Sequence, residues 1–534
     1  MGHWLEELVG DIDQEFLIKG ISEGFHIIDD IDSVDIKDVS HDNHPSVEKY
    51  HDIVEKELLY QIREGNYQIV SNKPKIVSPL GAIPKGDNGI RIIHDCSRPH
   101  GNAVNNYSLP SSVSYETVNN AFKLAKPGSY MCKIDLQSAY RSVPINPENF
   151  HCTGLQFKFT GDDAPTYLID RRLPFGCNKG PMIFHRISQS VKRMMSRKGF
   201  DGVVVYLDDF LCVADTYEEC CAMQHALLSL LVKLGFQISW KKVTSVTNVV
   251  EFLGITIDTT SCCASLSEKK VEKLFTRLQC FQNRKRATKR QLQCLAGSLN
   301  WACQVVRGGR FFLRRILDCI CLLKESFHKC KLSAAFKGDL QWWLDYVVSL
   351  NGEVYYRKAQ NIVLHSDACN VGGGVFVQGM WRYFNWKIDV PEVKDLHINY
   401  KEVITAILGI SIFAPVLKNH DVTVVTDSSV AKAVLNKGRS KNPYVMSMLR
   451  DMFWTLEEFN IHLRAVHCPG SLNQLPDAIS RLHEEGQLLR LKALLSNWFH
   501  GVMPNFVDSC KSSMSPCVFQ TIQRTIQRWH LRLN

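Results

Sequence analysis

Apolar and polar positions follow two rhythms along this chain of 534 residues. The run Val203-Val204-Val205-Tyr206-Leu207-Asp208-Asp209-Phe210-Leu211-Cys212-Val213-Ala214 places two adjacent acids between two β-branched-rich apolar stretches. That pattern predicts a strand, a tight turn and a strand. Residues 131–136 predict a short apolar strand with one acid, Asp135, near its end. Helical spacing predicts a helix over 46–64, with Val47, Ile53, Val54, Leu58, Leu59 and Ile62 on one side. A Gly/Pro-rich turn at 173–181 opens a helix through about Lys198, and another helix runs over 217–234, closed by Gly235-Phe236. Residues 251–255 predict a short strand, and 265–350 read as helical and basic. Past 360, apolar strands at 361–367 and 422–427 each end in an acid, Gly372–Gly374 reads as a turn into a strand at 375–377, and 461–466 is a strand. A buried helix over 399–417 carries Glu402 in its first turn, and Asp477 begins a helical turn after Pro476.

The acids change the picture first. A carboxylate pair at a buried hairpin tip is costly unless something positive sits there, and a hard divalent cation meets that need. The alternative is an acidic turn facing water. Asp135 stands where open α/β sheets put their chemistry, at the carboxyl end of a strand. Lys85 and Arg91 bracket Gly86-Asp87-Asn88-Gly89, a β-turn signal that predicts a hairpin with basic residues near its tip. Taken singly, Glu402 and Asp477 are also explained as acids at helix N-termini, and Asp367 and Asp427 as turn residues.

Charge sharpens the reading. Residues 1–60 carry 16 acids against 4 Lys/Arg, a net of −12 that leaves +21 on the remainder of a chain whose total is +9. A basic body suits a polyanionic partner, most simply nucleic acid. The 19 cysteines are scattered, form no zinc-ligand spacing and often sit in apolar runs, which predicts reduced thiols and an intracellular, cytoplasmic or nuclear, setting. The first residues lack the pattern of a signal peptide, Glu6 argues against myristoylation of Gly2, and no uninterrupted run of ~18 apolar residues predicts a membrane span.

The ordered motifs resemble the palm of a reverse transcriptase. They are Asp135 in the first acidic strand, Leu-Pro-Phe-Gly at 173–176, Tyr-Leu-Asp-Asp at 206–209, Gly235 with Lys241/Lys242, and Phe252-Leu253-Gly254. Ser78-Pro79-Leu80-Gly81 and Arg91-Ile92-Ile93-His94-Asp95 resemble the fingers hairpin of the same family. Downstream, Asp367, Glu402, Asp427 and Asp477, with His467 and Asn473 before the last acid, resemble ribonuclease H. Leu295–Ala302 and Gly309–Arg315 look like retroelements of the tyrosine-recombinase (DIRS) type. Two departures bear on nucleotide contacts: Cys177-Asn178-Lys179-Gly180 precedes Pro181, and Asp95 and Arg98 stand one residue further apart than in common fingers hairpins.

The resemblance implies a multidomain α/β chain, a right-hand polymerase followed by a ribonuclease H-like α/β domain. The expected parts are an acidic lead-in (1–45), fingers (46–130), palm (131–260), helical basic thumb and connection (261–358), ribonuclease H-like domain (359–483) and a tail of unread role (484–534). It implies two Mg²⁺ per site, with Mn²⁺ as substitute, held by Asp135, Asp208 and Asp209 in one and by Asp367, Glu402, Asp427 and Asp477 in the other. Lys85 and Arg91 would meet a dNTP triphosphate, Tyr140 the sugar, Phe175 and Gly176 the nascent pair, and Lys241 or Lys242 the leaving pyrophosphate. His467 would assist hybrid cleavage. The implied partners are an RNA template, a DNA primer, an RNA–DNA hybrid and dNTPs, with no membrane. The basic loop Lys437-Gly438-Arg439-Ser440-Lys441 either touches substrate backbone or is solvated. The chain is expected to be a piece of a longer polyprotein. The alternative is a decayed or domesticated element that binds nucleic acid without chemistry.

Overall fold

The computed structural model describes residues 1–29, 36–85, 89–109 and 112–498. The expected turn residues 86–88, the side chain of Lys85 and the tail beyond 498 lie outside the described residues. The chain divides into two compact units, Met1–Ala264 with Val354–Tyr356, and Ser265–Glu353 with the rest.

In the first unit, β1 (Leu80–Lys85) and β2 (Gly89–His94) form an antiparallel hairpin. Next come β3 (Tyr130–Asp135), β4 (Thr166–Asp170), α1 (Gly180–Arg197), β5 (Val203–Tyr206), β6 (Asp209–Ala214) and α2 (Tyr217–Lys233). The sheet that matters runs β3-β6-β5, all antiparallel. Its apolar face, with Cys132, Ile134, Val203, Val205, Phe210 and Cys212, packs against Phe184, Ile187 and Met194 of α1 and Leu227 and Leu231 of α2. Removing such side chains from water contributes about 1.5–3 kcal/mol each, which fixes the sheet under its two helices. Thr216 and Glu219 start α2 with reciprocal capping bonds.

Several expectations need correction. The acidic lead-in, which its short apolar clusters leave open to read as loosely packed, is packed in its described part: Trp4, Leu8, Leu17, Phe25, Ile27 and Ile28 are buried in the same core. Asp11 and Asp13 there pair with Arg193, and Asp13 also with Arg186 on the polar flank of α1. The helix over 46–64 is two helices, Pro45–Lys49 and His51–Arg63, and only Val47, Val54 and Leu58 of its expected apolar side are buried. Ile53 and Leu59 are exposed, because each stands one position, about 100° of helix, from the buried Val54 and Leu58 and so falls off the narrow face that meets the core. Residues 251–255 are not one strand. Leu253 and Gly254, at φ +48° and +81°, form the turn between strands Val249–Phe252 and Ile255–Asp258.

The second unit begins with α3 (Glu268–Gln282), α4 (Lys289–Ala302) and α5 (Ala334–Tyr346), plus an unanticipated small ladder of Arg286–Thr288 with Lys329–Lys331. Then come β7 (Asn361–Ala368), β8 (Gly372–Val377), β9 (Met380–Asn385), α6 (Ile398–Leu417), β10 (Asp421–Thr426), α7 (Pro443–Glu458), β11 (His462–His467) and α8 (Gln474–Ser480). The sheet order is β9-β8-β7-β10-β11, parallel across β7, β10 and β11 and antiparallel across β8 and β9. Thumb-connection and carboxyl-terminal segments share one unit because aromatic packing joins them: Phe312 stacks on Trp342 at 4.1 Å, and Phe453 of α7 meets both. Asp339 of α5, 1% exposed, pairs there with Arg315 at 2.7 Å and with Arg450 at 3.1 Å.

The three glycines read as a turn lie inside β8. A Cβ on Gly373 would meet Thr405 Oγ1 at 2.5 Å, and one on Gly374 the backbone of Pro476 and Ser480 at 2.5 Å. They therefore let α6 and α8 close on the strand from either face. Among the described residues α6 is the helix long and apolar enough to cross a membrane, and it is the buried core helix of this sheet. No disulfide joins any of the described cysteines.

Candidate active sites

The first site grows from the β5–β6 hairpin. Tyr206 and Asp209 face each other as a ladder pair, so the tight turn is Leu207-Asp208 and Asp209 stands on the strand itself. Leu207 takes φ +52°, an uncommon conformation for a side chain of this size, held by the two strands on either side. Asp209 is directly opposite Asp135 across β3 and β6, and the amide of Leu136 donates to the carbonyl of Asp208 at 3.1 Å. The three predicted acids thus meet at one end of the sheet.

Their electrostatics are those of crowded, half-buried carboxylates. Burial pushes Asp208 up from the ordinary range, and the charge of Asp135 adds to it. Asp209 is pushed up by burial, opposed by Lys133, whose Nζ lies 2.8 Å from its Oδ1. Lys242 donates to both oxygens of Asp135, at 2.8 and 3.0 Å. The pair of lysines offered by sequence therefore resolves to Lys242, while nothing brings Lys241 to the acids. Acid-rich, partly dehydrated and balanced by the ammonium groups of Lys133 and Lys242, the set fits hard divalent cations.

A cavity of about 400 Å³ opens beside these acids, lined by Asp208, Lys242, Tyr140, Phe175 and Arg91 and continuing to Tyr67, His94, Arg141 and Asp170. Tyr140 stacks on Phe175 at 5.0 Å and 15°, and the Arg91 guanidinium lies 5.4 Å from the Phe175 ring centroid. Gly176, at φ +129°, is needed because a Cβ would sit 2.0 Å from the carbonyl oxygen of His94. Sequence reading missed Lys133, although two-residue alternation puts it on the face of Asp135. It also missed His94, Arg141 and Asp170, single polar residues with no local signature.

The second site is assembled by β7, α6 and β10. Carboxylate oxygens of Asp367, Glu402 and Asp427 lie within 4.8 Å of one another. Glu402 sits beyond the first turn of α6, which begins at Ile398, so helix capping does not account for it. One of its oxygens accepts from the Ala368 amide at 3.2 Å, and the other is buried with no partner. Burial first, then the charges of Asp367 and Asp427, push Glu402 up to about 9. Asp367 is pushed up to about 7, chiefly by burial, while the Ser480 hydroxyl donates to it at 2.8 Å. A buried, orphaned carboxylate oxygen among three converging acids fits a divalent cation.

Asp477 stands beside the cluster, close enough that its charge adds to that of Asp427 in raising Asp367. It is absent from the tight cluster and is held below the usual carboxylate range by Arg481 and Arg490, both at 2.8 Å. His467 ends β11 on an exposed position, and no contact joins its ring to the acids. Asn473 is 1% exposed, and its amide donates to the carbonyl of Ser366, tying the last loop to the strand of Asp367.

Residues 83–257 match the family model described as reverse transcriptase (RNA-dependent DNA polymerase). Among curated relatives, Protein P of duck hepatitis B virus (strain United States/DHBV-16) is 29% identical over 126 residues, 23% of this chain and 14% of that protein. The retrovirus-related Pol polyprotein from transposon opus of Drosophila melanogaster is 24% identical over 183 residues, 34% of this chain and 17% of that protein. The Gag-Pol polyprotein of avian reticuloendotheliosis virus is 26% identical over 172 residues, 32% and 14% respectively. The matched stretch is thus a small part of each relative's length. The foamy viral protease-reverse transcriptase in complex with dsDNA superposes with TM-score 0.52 at 15% identity, covering 83% of this chain and 87% of that one. Its complex with RNA/DNA hybrid gives 0.52 at 16%, covering 96% and 66%. The fold is that of a right-hand polymerase, and the palm segment is related to viral and retroelement polymerases.

Proposed function

We propose that this chain is an RNA-directed DNA polymerase, also able to copy DNA, of a retroelement, with a second site that cleaves RNA in RNA–DNA hybrids. The observation that carries the polymerase reading is Asp135 facing Asp209 beside Asp208, at the mouth of a cavity bearing Arg91, Tyr140, Phe175 and Lys242. Asp135, Asp208 and Asp209 would hold two divalent cations, Mg²⁺ or in substitution Mn²⁺, which when bound supply charge neutralisation for in-line phosphoryl transfer. Around them the chain's own groups act on a primer 3′-hydroxyl and a dNTP. Arg91, with Lys85, draws the triphosphate into place, and Tyr140 on its Phe175 platform closes the space beside the sugar. Lys242, which bonds an acid of the site, would give charge or a proton to the departing pyrophosphate.

For the second site, Asp367, Glu402 and Asp427 would hold the same class of ion, and the hybrid's RNA strand is the proposed substrate. Asp477 would join only after exchanging its arginine partners, and His467 would assist product departure. The relatives' printed names, a retrovirus-related Pol polyprotein from a transposon and a viral Gag-Pol polyprotein, support the setting. The DIRS-type affiliation rests on the motifs at 295–302 and 309–315, and cytoplasmic or nuclear work on the cysteine usage.

Asp208→Asn in the purified chain is expected to abolish dNTP incorporation on primed RNA and DNA templates. Undiminished synthesis would remove the polymerase assignment. Asp427→Asn is expected to stop hybrid cleavage and leave synthesis intact, and cleavage at the original rate would remove the second.

A further inference from the structure

The cavity beside Asp208 does not end at Tyr140. Its inner wall is polar, and the polar groups there join three separate segments. Arg141 follows Tyr140 in the one-turn helix Ala139–Ser142. Its Nη1 donates to Asp170 Oδ2 at 2.8 Å, its guanidinium lies 4.9 Å from the Tyr67 ring, and Asp170 is fully buried at the end of β4. His94, 2% exposed at the end of β2, brings Nδ1 to 3.8 Å from the same carboxylate oxygen.

Each member stands next to a residue already placed at the nucleotide. Arg141 adjoins Tyr140. Asp170 leads through Leu173, whose amide donates to Val143 at 3.0 Å, to Phe175. The amide of His94, three residues after Arg91, donates to the carbonyl of Phe175 at 3.1 Å. The network thus ties together the segments that carry Arg91, Tyr140 and Phe175.

Stability alone is a poor reason for such a group. A buried ion pair is often no better than packed apolar side chains of similar volume. Here Arg141 Nη2 and His94 Nε2 are buried with no hydrogen-bond partner, a further cost. What the charged bond supplies is a fixed distance between the two segments, because a charge-assisted hydrogen bond is shorter and stronger than a neutral one, and the Tyr67 ring beside the guanidinium limits where it can lie.

We infer that Arg141 is a positioning residue for sugar selection: its bond to Asp170 holds the Tyr140 turn at a set distance from the Phe175 platform, so that a ribose 2′-hydroxyl is refused. This rests on the polymerase reading above and adds to it a residue that touches no substrate.

The test is single-nucleotide primer extension by the full chain, with one dNTP and its matching rNTP. Arg141→Lys keeps the charge and loses the planar guanidinium that both reaches Asp170 and lies against Tyr67. The pair Arg141→Gln with Asp170→Asn removes both buried charges and shortens the reach, which leaves a neutral interior suited to folding. In either variant the ratio of kcat/KM for dNTP over rNTP is expected to fall about tenfold or more, the scale of a small misplacement near reacting groups. The change should appear in KM for the two nucleotides, with kcat at saturating dNTP within about threefold of the parent. A purely structural role would lower the thermal midpoint and active fraction and leave the ratio unchanged. A parental ratio in a folded variant of either kind overturns the inference. An unsubstituted chain that incorporates no dNTP at all removes the polymerase reading instead.

Discussion

Lys242 donates to both carboxylate oxygens of Asp135, the acid that faces Asp209 across the β3–β6 ladder. An ammonium group held there competes with any cation for the same oxygens. On the proposed polymerase reading it would also serve the departing pyrophosphate. Lys242→Gln is therefore expected to lower kcat for incorporation by about 10²-fold, the usual reach of a positioned acid. The half-saturating Mg²⁺ concentration should fall, because Asp135 is released. Steady-state extension across a Mg²⁺ series reads both quantities, and an unchanged kcat would show that the lysine serves only as counter-charge.

Gly176 offers a test of the pocket's frame. With φ at +129° and the His94 carbonyl oxygen 2.0 Å from where a Cβ would stand, alanine must push two backbone segments apart. Gly176→Ala is expected to destabilise the first unit by about 2–4 kcal/mol, the range for backbone strain combined with a backbone clash. Differential scanning calorimetry should show the loss in one transition and not in the other. A shift below about 0.5 kcal/mol, typical of unconstrained surface sites, would mean that the loop relaxes freely.

Glu353 predicts a pH response in the second unit. Burial pushes its carboxyl up to about 7 from 4.5, opposed by Arg307 and reinforced by Glu457. A raised carboxyl means that the folded state binds the proton more tightly than the unfolded chain. Its contribution is fully present below 4.5 and is lost as pH rises through about 7. Glu457, also pushed up by burial, acts in the same direction. The thermal midpoint of this unit should fall across that window, and Glu353→Gln should flatten the fall. Identical pH profiles for the two proteins would place the dependence elsewhere.

How much could be read in advance depended on whether a residue's role was local. Asp208 and Asp209 stand out because two adjacent charges interrupt an apolar strand pattern. Lys133 is equally legible by alternation, yet its partner Asp209 is 76 positions away, so its purpose is not. Glu402 reads as a first-turn residue, and one residue of difference in the helix start, 399 expected against Ile398 observed, makes an acid of the site look like an ordinary cap. The glycines at 372–374 carry the composition of a turn, while their use, admitting α6 and α8 to β8, involves residues about 30 and 100 positions on. Asp477 has a readable partner four residues later in Arg481, but Arg490 reaches it from the next helix.

The order of strands, helices and acid-bearing turns follows from the chain alone, because two-residue and 3.6-residue rhythms are set by neighbours within a few positions. Ladder register and layer packing decided the rest. They put Asp135 opposite Asp209, chose Lys242 over Lys241, gathered Asp367, Glu402 and Asp427 while leaving Asp477 with its arginines, and buried Asp170 beneath Arg141. Such contacts depend on where distant segments stop against one another, and no local periodicity encodes that distance.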